Sequence, residues 1–305
     1  MKTLKTILLS AAVVCGLSSA DADEAKTTGK DPVSVFIVAG QSNADGRAPI
    51  AELPEYLADG YQYLQFNNVT MRSDGKFKRK SFKKNFSFCD VTNHYIEQAL
   101  QDKFYVVKCA LGGTAIAPGQ YPRKKRHHPI WYADPEWLKE NSAYRRDTIG
   151  HSLALSLAVG MKDSHDVTLS KIKRGYDVKA ILWHQGESDA KAGASYYDNL
   201  KTLINYMRSQ VVEATGNDKY RNLPFIFGSV PHSSKLFSRQ VEEAQKRIAA
   251  EDPNVYMIDL SDAKLQDDRL HFGGAWAEYF GKLAFNQLVD LGLVPGEKLE
   301  VSKPQ

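Results

Sequence analysis

Apolar residues in this chain fall into short unbroken runs, separated by longer stretches of helical period. Val33-Ser-Val-Phe-Ile-Val-Ala39, Phe104-Tyr-Val-Val-Lys-Cys-Ala-Leu111, Val178-Lys-Ala-Ile-Leu-Trp183, Leu223-Pro-Phe-Ile-Phe-Gly228 and Val255-Tyr-Met-Ile-Asp259 are rich in β-branched and aromatic residues. Runs of that length and composition read as buried strands. Tyr61-Gln-Tyr-Leu-Gln-Phe66 alternates and reads as a short strand. Segments 91–101, 142–162, 196–212, 237–250 and 275–291 predict helices; Leu153, Leu157 and Met161 share one helical face. Residues 47–60, with Pro49 and Pro54, and residues 115–141 read as loops. Five doubly buried strands alternating with helices predict an α/β fold. Its parallel sheet would be covered on both faces and joined by right-handed connections. The single domain is expected over residues 32–295, and residues 296–305 form a polar tail that should fray.

The first residues change the picture of where the chain works. Met1-Lys-Thr-Leu-Lys5 is basic, Ile7 to Leu17 is apolar, and Ser18-Ser-Ala20 is small. That order describes a secretory signal over residues 1–20, too short to span a membrane, followed by a polar leader over 21–31. Lipidation at Cys15 is the lesser alternative, because Val14 precedes it. The product is then periplasmic or extracellular. The formal net charge of +4 names no partner, since half of it sits on Lys2 and Lys5 of the leader. Outside the leader only Cys89 and Cys109 remain, open to either pairing or burial as free thiols. Residues 76–84 carry six cations interleaved with Phe77 and Phe82. This suits an anionic polymer or, more simply, a solvated loop edge anchored by its aromatics; a secretory leader argues against nucleic acid.

Candidate chemistry gathers just after the strands. Gly40-Gln-Ser-Asn43 follows the first strand, Gly112-Gly-Thr114 the second and His184-Gln-Gly-Glu187 the third; Asp268-x-x-His271 lies beyond the fifth. Open α/β sheets place ligands at that edge. Acyl transfer needs a nucleophile, a base, a carboxylate that orients the base, and donors for an oxyanion. Ser42 offers the hydroxyl, His271 the imidazole and Asp268 the carboxylate. The backbone N–H groups of Ser42 and Gly113, and the side-chain amide of Gln185, are candidate oxyanion donors. Gln41, Asn43 and His184 are expected in support. Ser152, in Gly150-His-Ser-Leu-Ala154, lacks the preceding strand that a nucleophile elbow requires and reads as helix surface or packing, as does His151. His127 and His128 read as solvated, and His94, His165 and His232 as isolated. Trp131, Tyr132 and Trp137 are candidates for sugar stacking or for pinning the loop. No metal-ligand spacing and no phosphate loop is present.

Gly40-Gln-Ser-Asn43, Trp183-His-Gln-Gly-Glu-Ser-Asp189 and Asp268-x-x-His271, in that order and separation, resemble the SGNH hydrolases, a division of the GDSL esterases. Within them the chain resembles the sialate O-acetylesterase-like and acetylxylan-esterase branch, carbohydrate esterase family six. The resemblance implies a flavodoxin-like three-layer sandwich with a five-stranded parallel sheet in the order 2-1-3-4-5. It also implies removal of acetyl groups from oligo- or polysaccharide through an acetyl-enzyme, without a cofactor. It maps the nucleophile onto Ser42, the base onto His271, the orienting carboxylate onto Asp268, and a second acidic partner of that histidine onto Glu187. Two carboxylates beside one imidazole would raise its pKa. The usual Gly-x-Asn-Asp is absent, so Gln185 stands where an oxyanion asparagine would. The expected activity is acetylxylan esterase-like; a sialate O-acetylesterase, a short-chain lipid or aryl esterase, and a non-catalytic glycan-binding protein are the alternatives. Oligomeric state is not encoded in these motifs.

Overall fold

The computed structural model describes residues 31–70, 72–120, 128–141 and 152–305. The leader with Cys15, His127, His151 and the first part of the 142–162 helix lie outside the described residues. The strands are β1 (Val33–Gly40), β2 (Ala48–Pro49), β3 (Leu64–Asn68), β4 (Asn85–Phe86), β5 (Phe104–Ala110), β6 (Tyr176–His184), β7 (Phe225–Gly228) and β8 (Val255–Ile258). The helices are α1 (Ser42–Asp45), α2 (Phe88–Leu100), α3 (Pro135–Asn141), α4 (Leu153–Val167), α5 (Gly193–Thr215), α6 (Arg239–Glu251) and α7 (Gly274–Asp290).

The main sheet runs β3-β5-β1-β6-β7-β8, and every pairing in it is parallel. Its last five strands, counted in chain order, reproduce the expected 2-1-3-4-5. The sheet has six strands rather than five because the alternating segment near Phe66 adds an edge beside β5. β2 and β4 make a separate two-stranded antiparallel pair.

Period-two alternation divides β1 between two cores. Val33, Val35, Ile37 and Ala39 pack with Leu153, Leu157 and Met161 of α4 and with apolar residues of α5 and α6. Phe36 and Val38 face the other way, onto Phe88 and Val91 of α2 and Trp276 and Phe280 of α7. Both faces being covered explains why the run shows no polar alternation.

Three expectations need correction. The 115–141 loop ends in α3, which opens on Pro135, while Asp134 Oδ1 accepts from the Trp137 N–H at 2.9 Å; proline is well suited to a first helical position. The tail from residue 296 is docked rather than frayed. Leu299 exchanges hydrogen bonds with Asn286 of α7 at 2.7 and 2.9 Å, and Lys303 pairs with Asp262. Ser152 is the N-cap of α4, its hydroxyl accepting from Leu155 N–H at 3.1 Å. Cys89 and Cys109 are buried free thiols, and burial pushes the Cys89 thiol up to about 12.

Candidate active site

Gly40 brings β1 and β6 together at the carboxyl edge of the sheet. Its φ is +132°, and a Cβ there would lie 2.3 Å from the His184 carbonyl oxygen. That same carbonyl accepts from Gln41 N–H at 2.9 Å. The chain then turns into α1, so Ser42 begins a single helical turn and stays 7 % exposed. Gln41, Ser42, Arg47, Gly112, Gly113, Glu187, Ser188, Leu236, Leu270 and His271 line one cleft of about 270 Å³. The structure therefore brings Ser42 and His271, separated by more than two hundred residues, to the same small volume. Among the described residues, no hydrogen bond engages the backbone N–H of Ser42 or Gly113. Both remain available to a substrate oxygen.

Asp268 fixes the histidine. Its Oδ1 accepts from the backbone N–H groups of Leu270 and His271, at 2.9 and 3.0 Å, and its Oδ2 lies 2.5 Å from His271 Nδ1. Arg269, at φ +54°, makes the tight turn that folds the carboxylate back onto the ring. Partial burial raises the Asp268 pKa, but the two backbone N–H groups and the imidazole outweigh it, and the carboxyl titrates below its usual range. Binding at Nδ1 leaves Nε2 as the ring nitrogen for chemistry in the cleft.

Asn43 ties this turn to the serine. Its amide nitrogen donates to Glu187 Oε1 at 3.0 Å and to the Leu270 carbonyl at 3.2 Å, and its Oδ1 accepts from Phe272 N–H at 3.2 Å. One side chain thus grips both residues flanking His271 from the position next to Ser42. Glu187, expected as a second partner of His271, reaches that loop only through Asn43. Its Oε1 also lies 3.8 Å from Nδ1 of the fully buried His184. The stacking of two carboxylates on one imidazole is therefore not what the chain builds. His184 packs among Phe88, Phe272 and Phe280, and burial lowers its pKa against the opposing pull of Glu187.

Gln185 does not serve as an oxyanion donor in this arrangement. It is wholly buried, and its amide nitrogen donates to the Thr114 carbonyl at 3.2 Å and to Asp189 Oδ2 at 2.5 Å. Tyr196 supplies the proton that its Oε1 accepts, at 3.0 Å. Asp189 also receives the N–H groups of Ile116 and Ala117 at 2.7 and 2.8 Å, fastening the loop after β5 to the loop after β6. Burial raises the Asp189 pKa, against the hydrogen bonds it accepts.

The aromatic candidates lie away from the cleft lining. Trp131 is fully buried, meets Trp183 edge-on, and donates from its indole nitrogen to the Gly40 carbonyl at 3.3 Å. Tyr132 and Trp137, both half-buried, pack on each other at 5.6 Å and do not line the cleft. His128 is engaged, not merely solvated: its Nε2 sits 2.9 Å from the Gly112 carbonyl. His165 and His232 bond Tyr176 and Glu242. Arg47, Leu236 and Leu270 are cleft residues that the motifs did not single out. Arg47 is held by Asp45 at 2.8 Å and by the Gly46 carbonyl at 2.6 Å. A basic residue shortly after the serine turn was the one available signal for it.

Residues 158–290 match the family model for carbohydrate esterase, sialic acid-specific acetylesterase, which covers less than half of the chain. No curated protein sequence matches. Solved structures do. A protein from Arabidopsis thaliana superposes with a TM-score of 0.59 at 19% identity, covering 85% of this chain and 98% of that one. NanS gives 0.58 at 14% identity, over 86% and 98%. A carbohydrate acetylesterase from Xanthomonas citri gives 0.54 at 16% identity, over 85% of this chain and 57% of that one. At such identities these likenesses speak to the fold. Residues 158–290 are thus similar to that esterase family, and the fold of the chain is that of the solved structures.

Proposed function

We propose that the protein is an exported serine esterase that removes O-acetyl groups from oligo- or polysaccharide through an acetyl-enzyme. Ser42 Oγ attacks the acetyl carbonyl while His271 Nε2 takes its proton, and the imidazolium is held by Asp268. The tetrahedral oxyanion is met by the N–H groups of Ser42 and Gly113. Collapse expels the sugar alkoxide, which leaves with the proton from His271. Water, activated by the same nitrogen, then releases acetate and restores Ser42. Asn43 and Glu187 act behind the reacting atoms by holding the histidine turn against α1. Export rests on the basic, apolar and small-residue order of the leader.

The observation that carries the reading is the convergence of Ser42 and His271 on one cleft, with His271 Nδ1 held 2.5 Å from Asp268. Leu236 and Leu270 give the cleft an apolar side that suits an acetyl methyl. Ser42→Ala tests it. The variant is expected to fold normally and to lose about a thousandfold or more in acetate release from acetylated xylan and nitrophenyl acetate. Retention of most activity would contradict the assignment.

A further inference from the structure

The basic stretch beside the edge strand has a shape as well as a charge. Phe66, Asn67, Asn68, Arg72, Ser73, Asp74, Lys76, Lys78, Arg79, Lys80 and Ser81 enclose a groove of about 860 Å³, larger than the cleft at Ser42. Residues 72–84 contain seven Lys and Arg and one acid, Asp74. Lys80 is not available to a ligand: it is ion-paired with Asp90 and lies over the rings of Phe66 and Phe82. Arg72, Lys76, Lys78 and Arg79 are exposed, and among the described residues none of them has an ion-pair partner. A groove that gathers four exposed cations creates a focused positive potential.

The aromatics decide between classes of polyanion. Phe77 meets Tyr105 edge-on at 4.8 Å, and Phe82 packs on Tyr61 at 5.7 Å. These rings anchor the segment to the body, and Lys80 lies over Phe66, the ring in the groove wall, whereas single-stranded nucleic acid binding relies on open stacking platforms. What remains is charge beside the exposed Asn68, a surface for carboxylates or sulfates on a sugar chain.

Position ties the groove to the reaction. Asn68 pairs with Lys108 of β5, which pairs in turn with Val38 of β1. The groove therefore flanks β3, the strand two places from β1 in the sheet. Two strand spacings separate the β3 and β1 ends, roughly 10 Å in all.

We infer that this groove binds the acidic backbone of a polysaccharide, holding a polyuronate or sulfated chain whose acetyl groups reach the Ser42 cleft. The inference rests on the esterase reading, but its test separates from it. Binding is measured on the Ser42→Ala protein, with and without Arg72→Glu, Lys76→Glu and Lys78→Glu together. The probes are polygalacturonate, a sulfated glycan (heparin), neutral xylan and single-stranded polynucleotide. The expected result is binding to an acidic glycan that weakens on the order of tenfold in the charge-reversed protein and falls steeply with salt. Which acidic glycan binds more tightly distinguishes carboxylate from sulfate. With Ser42 restored, the charge-reversed protein should keep its nitrophenyl acetate activity, which also reports that it folds. Binding that is absent, unaffected by charge reversal, or equally strong to polynucleotide or xylan would overturn the inference, whatever the fate of Ser42.

Discussion

Asn43 shows how much of this site depends on a residue that does no chemistry. Its three hydrogen bonds join the helix that opens on Ser42 to both neighbours of His271 and to Glu187. Removing the amide frees the histidine turn and leaves a buried carboxylate short of a partner. Each such loss costs roughly 1–3 kcal/mol. Asn43→Ala is expected to lower kcat by about 10- to 100-fold, with KM for nitrophenyl acetate little changed. Steady-state kinetics beside a urea unfolding curve would check this; an unchanged kcat in a folded protein would exclude the positioning role. Ser42, Asp268 and His271 could be nominated from sequence by residue type and position after a strand, and the structure brings Ser42 and His271 to one cleft. Gln185 was not, since its partners Thr114, Asp189 and Tyr196 come from elsewhere in the chain and turn its amide away from the cleft. Sequence names a donor; only packing aims it.

Among the elements, the β-branched runs read correctly because strands buried on both faces leave little room for polar residues. The edge strand β3 was visible as alternation, but its place beside β5 depends on register that no local pattern holds. Local polarity also misled at the tail, where Leu299 and Asn286 supply a specific anchor. Trp131 is the sharpest case, because a tryptophan in a long loop suits either a sugar platform or a pin. The structure makes it a pin: it fills the core beside Trp183 and satisfies the Gly40 carbonyl at the end of β1. Trp131→Ala is therefore expected to cost about 3–5 kcal/mol in urea unfolding. A sugar contact would instead raise KM for the glycan and leave stability unchanged.

For the molecule as a whole, function depends on bringing distant segments to one sheet edge. The cleft draws on the turns after β1, β5 and β6 and on the loops between β7 and α6 and between β8 and α7. The two cores on either side of the sheet hold those turns in place, while Asp189 fastens two of them directly. This convergence was predictable from topology, since parallel strands all point their carboxyl ends the same way. The aim of each side chain within it was not. The central claim, that Ser42 carries the acyl group, is tested most directly by quenching the enzyme in acid during turnover of nitrophenyl acetate and mapping its peptides by mass spectrometry. The account predicts one acetyl group on the peptide containing Ser42, transient in the native protein and absent from Ser42→Ala. An acetyl group on another residue such as Ser152, or full turnover by Ser42→Ala, would contradict it.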